Sequence, residues 1–325
     1  MRIIDMHCDT ISRDTLSGMG LRQNNLQIDL HKMKEAGYLL QNFAIFVNTA
    51  SESTPFEAAL YMTDLFHEEM KKNQDLIRPV TTYEEIMANK EAGLMSALLT
   101  LEEGEICKGD VRLLRNFHRL GVRMITLTWN HHNSIGSPND YISTTSPYGL
   151  PSMTGLTENG LSFINEMERL GVIIDVSHLS DGGFYDVLNH TKKPFVASHS
   201  NARSLASHCR NLTDDMIKKM GERGCVTGLN YYGAFLYNFQ NSDSTYSSVK
   251  DMARHARHIT NTGGMEVLGL GSDFDGFTGS CELTDCSKMY LLENELKKQG
   301  FTSSDIDKIF YKNVLNVYKE ILSAE

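Results

Sequence analysis

Five short stretches of this chain end in residues that bind metals or move protons. The first ends in His7-Cys8-Asp9 and the second in Glu102-Glu103. The third and fourth end in Ser177-His178 and Ser198-His199. The last ends in Gly271-Ser272-Asp273-Phe274-Asp275. Neutral imidazoles and carboxylates are good zinc ligands, and an oxygen bridge between two metals needs a carboxylate. On an extended strand His7 and Asp9 share a face and Cys8 turns to the other. Glu102 is placed to bridge, although spacing does not choose between it and Glu103. Together, His7, Asp9, Glu102, His178, His199 and Asp273 have the placement of a metal hydrolase site. His31, His67, His118, His190, His255 and His258 lie in helical or polar contexts and read as surface residues; His208, beside Arg210, is assigned to neither class.

Such residues are useful only if the fold gathers them. Eight apolar clusters, at 3–7, 40–47, 96–101, 122–128, 172–177, 194–198, 224–229 and 267–271, read as strands buried on both faces. Amphipathic stretches separate most of them. Leu161, Ile164, Met167 and Leu170 mark one helix, with Thr157 before it as a cap and Gly171 after it as a stop. Thr213-Asp214-Asp215 opens another, with Met216, Ile217 and Met220 on one side. Eight strand–helix alternations in a chain without a long linker predict one α/β domain over 1–325, a (β/α)8 TIM barrel; an open doubly wound sheet is the alternative. A barrel brings all its strand ends to one mouth. The polar segment 130–157 follows the fourth strand and reads as an active-site loop. The stripe Ile306, Ile309, Phe310, Val314, Val317, Tyr318 and Ile321 predicts a C-terminal helix packed on the barrel.

The chain has 325 residues, 41% of them hydrophobic and 22% charged, which is ordinary globular usage. With 31 Lys and Arg against 41 Asp and Glu, its net charge of −10 argues against nucleic acid as a partner. No apolar run approaches a membrane span, and no secretory leader is expected at the N-terminus. Six cysteines without a C-x-x-C pair read as reduced thiols of a cytoplasmic protein.

Several motifs together resemble the membrane dipeptidase (renal dipeptidase) family of zinc dipeptidases, in its soluble bacterial form. They are Asp5-Met6-His7-Cys8-Asp9, Leu101-Glu102-Glu103-Gly104, Thr126-Leu127-Thr128, the run 169–178 ending in Asp175-Val176-Ser177-His178, Ser198-His199-Ser200, Arg210-Asn211-Leu212-Thr213-Asp214-Asp215 and the run 269–276. The resemblance covers residues 3 to about 318. It implies a barrel of the amidohydrolase kind with two zinc ions per chain. His7 and Asp9 would hold one ion, His178 and His199 the other, and Glu102 would bridge them. It also implies that Arg210 binds the substrate carboxylate and that Asp273 handles protons, with Asp275 as its rival two residues on. The expected substrate is a dipeptide with a free C-terminus, D-residues being tolerated there, cleaved by a metal-bridging hydroxide. A homodimer is compatible with the family.

The chain departs from that family in two places. Where the family carries His after Thr-Leu-Thr, this chain has Trp129, followed by Asn130-His131-His132. His131 is therefore the expected residue for polarising the scissile carbonyl and binding substrate, with His132 next in line. Glu103 and Glu105 replace small residues and predict a more acidic mouth. One competing reading is another barrel hydrolase, such as a deaminase, a cyclic-amide hydrolase or a phosphotriesterase relative. Those carry His-x-His on the first strand and often a bridging Lys from the fourth; here there is His-x-Asp, and 126–129 holds no Lys. A non-catalytic metal- or peptide-binding barrel is the other competitor, and a full set of acid, base and ligand residues argues against it.

Overall fold

The computed structural model describes residues 2–13, 16–141, 143, 145–238 and 246–323. Eight strands form the barrel: β1 (Ile3–Asp5), β2 (Tyr38–Phe46), β3 (Met95–Glu102), β4 (Val122–Thr126), β5 (Ile173–Asp175), β6 (Val196–Ala197), β7 (Val226–Leu229) and β8 (Leu268–Leu270). Each pairs in parallel with the next, and β8 returns to β1 through Leu270 and Asp5, which closes the cylinder. All eight lie on the expected apolar clusters. A TIM barrel, not an open sheet, is the fold.

Two additions lie outside that pattern. Ile77–Pro79 pairs with the start of β3, at Met95 to Ala97, below the point where β4 joins at Leu99. Tyr246–Ser247 pairs with Ser280–Cys281 away from the barrel.

The expected helix signals act as predicted. Thr157 accepts a hydrogen bond from the Gly160 N–H at the head of helix Glu158–Leu170, and Gly171 ends it in a left-handed conformation. Thr213 caps Asp214–Arg223 in the same way. Such a cap contributes roughly 1 kcal/mol.

Strand residues facing inward, Ile4, Leu40, Leu98, Met124, Ile173, Val196 and Val226, pack with Val314, Tyr318 and Ile321 of helix Asn313–Leu322. This helix follows Ser303–Asp307 after one π turn at Lys308–Lys312. It plugs the N-terminal end of the barrel, where Asn42 donates to the Tyr318 hydroxyl at 2.7 Å. Gly269 permits the close approach, because a Cβ there would lie 2.6 Å from Val314. With that end closed, the C-terminal ends of the strands form the accessible face, as in barrel enzymes generally. Among the described residues all six cysteines are free thiols, and no helix is long and apolar enough to cross a membrane.

Candidate metal centre

His7 and Asp9 follow β1, yet the ladder continues past its end. The Asp273 N–H donates to the His7 carbonyl at 3.2 Å, and the Asp9 N–H to the Phe274 carbonyl at 3.0 Å. Both side chains therefore face inward, while Cys8 turns away and its thiol meets the Asn42 carbonyl at 3.4 Å. Glu102 is the last residue of β3. His178 and His199 leave β5 and β6 by short turns. His178 and Asp273 have left-handed backbones, with φ of 68° and 62°, a conformation that costs energy for a residue other than glycine. Such strain is held where the surroundings enforce it.

These residues meet in one buried cluster. The two oxygens of Glu102 point to different histidines: Oε2 lies 3.1 Å from His7 Nε2 and Oε1 3.0 Å from His178 Nε2. His199 Nε2 stands 3.9 Å from Oε1 and 3.1 Å from His178 Nε2. Asp9 Oδ2 is 3.4 Å from His7 Nε2, and Asp273 Oδ1 is 4.0 Å away. Ligand atoms of His7, Glu102 and His199, and of His7, Asp9 and Asp273, form two groups compact enough for an ion.

The donor set fits metal ions on independent grounds. Asp9 Oδ1 is buried without a hydrogen-bond partner among the described residues, and such an orphan is costly unless something satisfies it. The His178 and His199 Nε2 atoms face each other, an arrangement that a shared cation stabilises. At Gly276 a Cβ would collide with Asp273 Oδ1 and Asp9 Oδ2, so glycine keeps the cradle open.

Electrostatics divide the histidines. Burial opposes charge on His7, but Glu102 and Asp9 outweigh it and hold the imidazole well above its usual range. Glu102 is held well below the carboxylate range because His7 and His178 overcome the effect of its burial. Burial, with Arg210 nearby, lowers His178 to about 4; burial, with His7 and Arg210, also lowers His199 far. Burial lifts Asp273 to about 7, opposed by His7 and reinforced by Asp9 and Glu102.

Polar side chains behind the candidate ligands His178 and His199 fix their rings. Asn130 Oδ1 lies 2.8 Å from His178 Nδ1. Ser198 Oγ lies 2.7 Å from His199 Nδ1. Neither Asn130 nor Ser198 was marked for such a role by its sequence position.

The cleft above the cluster is lined by Asp9, Glu102, His178, Arg210 and Asp273, together with Arg13, Trp129, Asn130 and the aromatic rings of Phe46, Tyr141, Tyr232, Phe235 and Phe277. Arg210 is only 6% exposed. Its guanidinium makes two long hydrogen bonds, to Ser200 Oγ at 3.4 Å and the His199 carbonyl at 3.5 Å, and its Nε has no partner among the described residues. Asp275, the rival of Asp273, is occupied elsewhere: it accepts from Thr10 Oγ1 at 2.6 Å and from the Gln27 and Ile28 N–H groups at 2.8 and 3.3 Å.

Other expected placements differ. His131 is not brought into this cleft; its Nε2 sits 3.0 Å from Glu103 and 2.9 Å from Thr49 Oγ1. His132 is tied to Ser137 at 2.7 Å. Trp129 and Asn130 occupy the wall instead, because Glu103 is fully buried and draws His131 away. The two added carboxylates do not acidify the mouth. Glu103 turns opposite to Glu102 and accepts from Thr49 and Asn133, and Glu105 accepts from the Ser134 N–H and hydroxyl. His255 is not a surface residue: it is buried, facing the Leu236 carbonyl at 2.9 Å and the Ala202 N–H at 3.2 Å. His208 is also buried, between the Tyr141 and Phe235 rings.

The model of the family described as membrane dipeptidase (peptidase family M19) matches residues 1–325. A dipeptidase of Schizosaccharomyces pombe is 31% identical over 305 residues, covering 90% of this chain and 71% of its own. Dipeptidase aclJ of Aspergillus oryzae is 30% identical over 305 residues, covering 91% and 70%. Among solved structures, a metallopeptidase from Rhodobacter sphaeroides, liganded with a phosphinate mimic of the dipeptide L-Ala-D-Ala, is similar with a TM-score of 0.88. It is 25% identical, and the match covers 99% of both chains.

Proposed function

The chain belongs to the membrane dipeptidase family and is a metallo-dipeptidase by class, and from that premise we propose a two-zinc enzyme that cleaves dipeptides with a free C-terminal carboxylate. One observation carries the reading: Glu102 reaches toward His7 with one oxygen and toward His178 and His199 with the other. His7 and Asp9 would hold one ion, His178 and His199 the second, and Glu102 would bridge them. When bound, such a pair supplies a Lewis acid for the scissile carbonyl and lowers the pKa of the attacking water.

The chain's own residues supply the rest. Arg210 presents a buried, under-satisfied guanidinium, which matches a carboxylate in bidentate fashion. It fixes the dipeptide by its C-terminus. The Asn230 amide donates to Asp273 Oδ2 at 3.0 Å. Asp273 Oδ1 then faces the cluster, free to take a proton from water and return it to the leaving amine. Aromatic walls exclude water around the scissile bond. Because recognition rests on the carboxylate, a D-residue at the C-terminal position is accepted; the L-Ala-D-Ala mimic in the Rhodobacter relative supports this. Cytoplasmic residence belongs to the same reading, supported by six free thiols.

A panel of L,L- and L,D-dipeptides, each with free and amidated C-termini, tests the proposal. Free dipeptides of both series should be cleaved and the amides spared. Equal cleavage of free and amidated substrates would refute carboxylate recognition.

A further inference from the structure

Behind His199 lies a buried chain of hydrogen bonds whose direction is forced. Asp175 ends β5 and Ser198 follows β6; both are 0% exposed. Asp175 Oδ1 receives the Ser177 and Ser198 N–H groups at 3.0 and 2.8 Å. Oδ2 receives the Thr126 and Ser198 hydroxyls, each at 2.6 Å. Four donors thus converge on one carboxylate, which only accepts. The single Ser198 proton is committed to Asp175, so Ser198 Oγ meets His199 Nδ1, 2.7 Å away, with a lone pair. Ser177 Oγ, 3.3 Å from Ser198 Oγ, receives the His199 N–H and does not reverse the direction. His199 Nδ1 must then carry the ring proton, and Nε2 is left bare toward Glu102 and His178.

We propose that Asp175, acting through Ser198, is a positioning residue that holds His199 in the Nδ1–H tautomer and so prepares Nε2 as a metal ligand. The inference rests on the metal-centre reading above. Its chemistry differs from a direct carboxylate–histidine pair: a hydroxyl is interposed, so the carboxylate sets the polarity of the chain without touching the imidazole. Partners of this kind typically contribute 10- to 100-fold in metal affinity.

Asp175→Asn predicts more than a loss. An amide at 175 keeps one oxygen for the two N–H groups and turns its NH2 toward Thr126 and Ser198. Ser198 then accepts from residue 175, its proton turns to His199 Nδ1, and the ring proton moves to Nε2. Ser198→Ala instead removes the link and leaves Asp175 and its charge intact.

Histidine-selective 15N NMR of the metal-free protein reads the tautomer, and competition with a chromophoric chelator reads zinc affinity. Neither readout requires turnover. The wild type should show His199 as Nδ1–H and Asp175→Asn as Nε2–H. Both variants should lose about 10- to 100-fold in affinity for one of two zinc ions, with excess zinc restoring kcat. Retention of the Nδ1–H form in Asp175→Asn, or wild-type zinc affinity in a folded Ser198→Ala, would overturn the proposal. Failure of the dipeptidase reading would appear separately, as a wild type that binds zinc and cleaves no dipeptide.

Discussion

Arg210→Met removes the guanidinium and retains most of the side-chain volume against Phe235, whose ring lies 5.4 Å from the Arg210 Cζ. Among the described residues the guanidinium has, beside that ring, two long hydrogen bonds and an unpartnered Nε. A substrate carboxylate is therefore its main satisfaction. Truncating one partner of a buried, hydrogen-bonded charge pair costs ~2–5 kcal/mol. At about 1.36 kcal/mol per tenfold in rate, the middle of that range predicts a loss of ~10²–10³-fold in kcat/KM. The loss should be confined to substrates with a free carboxylate. An amidated dipeptide already lacks the pair, so the variant and the wild type should cleave it at similar, low rates. The thermal midpoint should hold or rise, because an uncompensated buried charge is gone. Rates of amino-acid release from matched free and amidated dipeptides form a two-by-two cycle. Equal losses on both substrates would refute carboxylate anchoring, and so would no loss on either.

Asp273→Asn should lower kcat by ~10²–10⁴-fold, the usual weight of a general acid–base group, with zinc content preserved. Asp275→Asn should instead lower stability, by ~1–3 kcal/mol, because Asp275 ties Thr10, Gln27 and Ile28 to the end of β8; thermal melts and kcat for the pair separate the two roles. His131→Ala should leave kcat almost unchanged, since its ring is engaged with Glu103 and Thr49 outside the cleft; a large fall in kcat with unchanged zinc content would return the residue to the chemistry. Zinc uptake by the metal-free protein should release protons near neutral pH. His7 is held protonated above its usual range and must lose that proton to bind, whereas His178, lowered to about 4, is already neutral. Affinity should therefore fall as pH falls, which calorimetry in buffers of different ionisation enthalpy measures.

The barrel was legible because its strands are buried on both faces and so appear as apolar clusters, with caps such as Thr157 and Gly171 at the helix ends. Ile77–Pro79 was not legible: it is three residues long, with Arg78 and Pro79 exposed, and its pairing is fixed by the start of β3. The candidate ligand residues could be picked out by residue type at strand ends, and the barrel brings them together. The left-handed backbones of His178 and Asp273 could not, since tertiary packing imposes them. The position of His131 beside Glu103 and Thr49 was not legible, because the pull of a buried Glu103 depends on which way that side chain leaves β3, and one residue of register decides this. Asp175 and Ser198 looked like strand residues; their role emerges only from contacts between β5 and β6.

The most direct test of the account is a titration of metal-free protein with zinc, following hydrolysis of an unmodified dipeptide. The account predicts no turnover without metal and a rise that saturates at two equivalents per chain. Full turnover in chelator-treated, metal-free protein would contradict it.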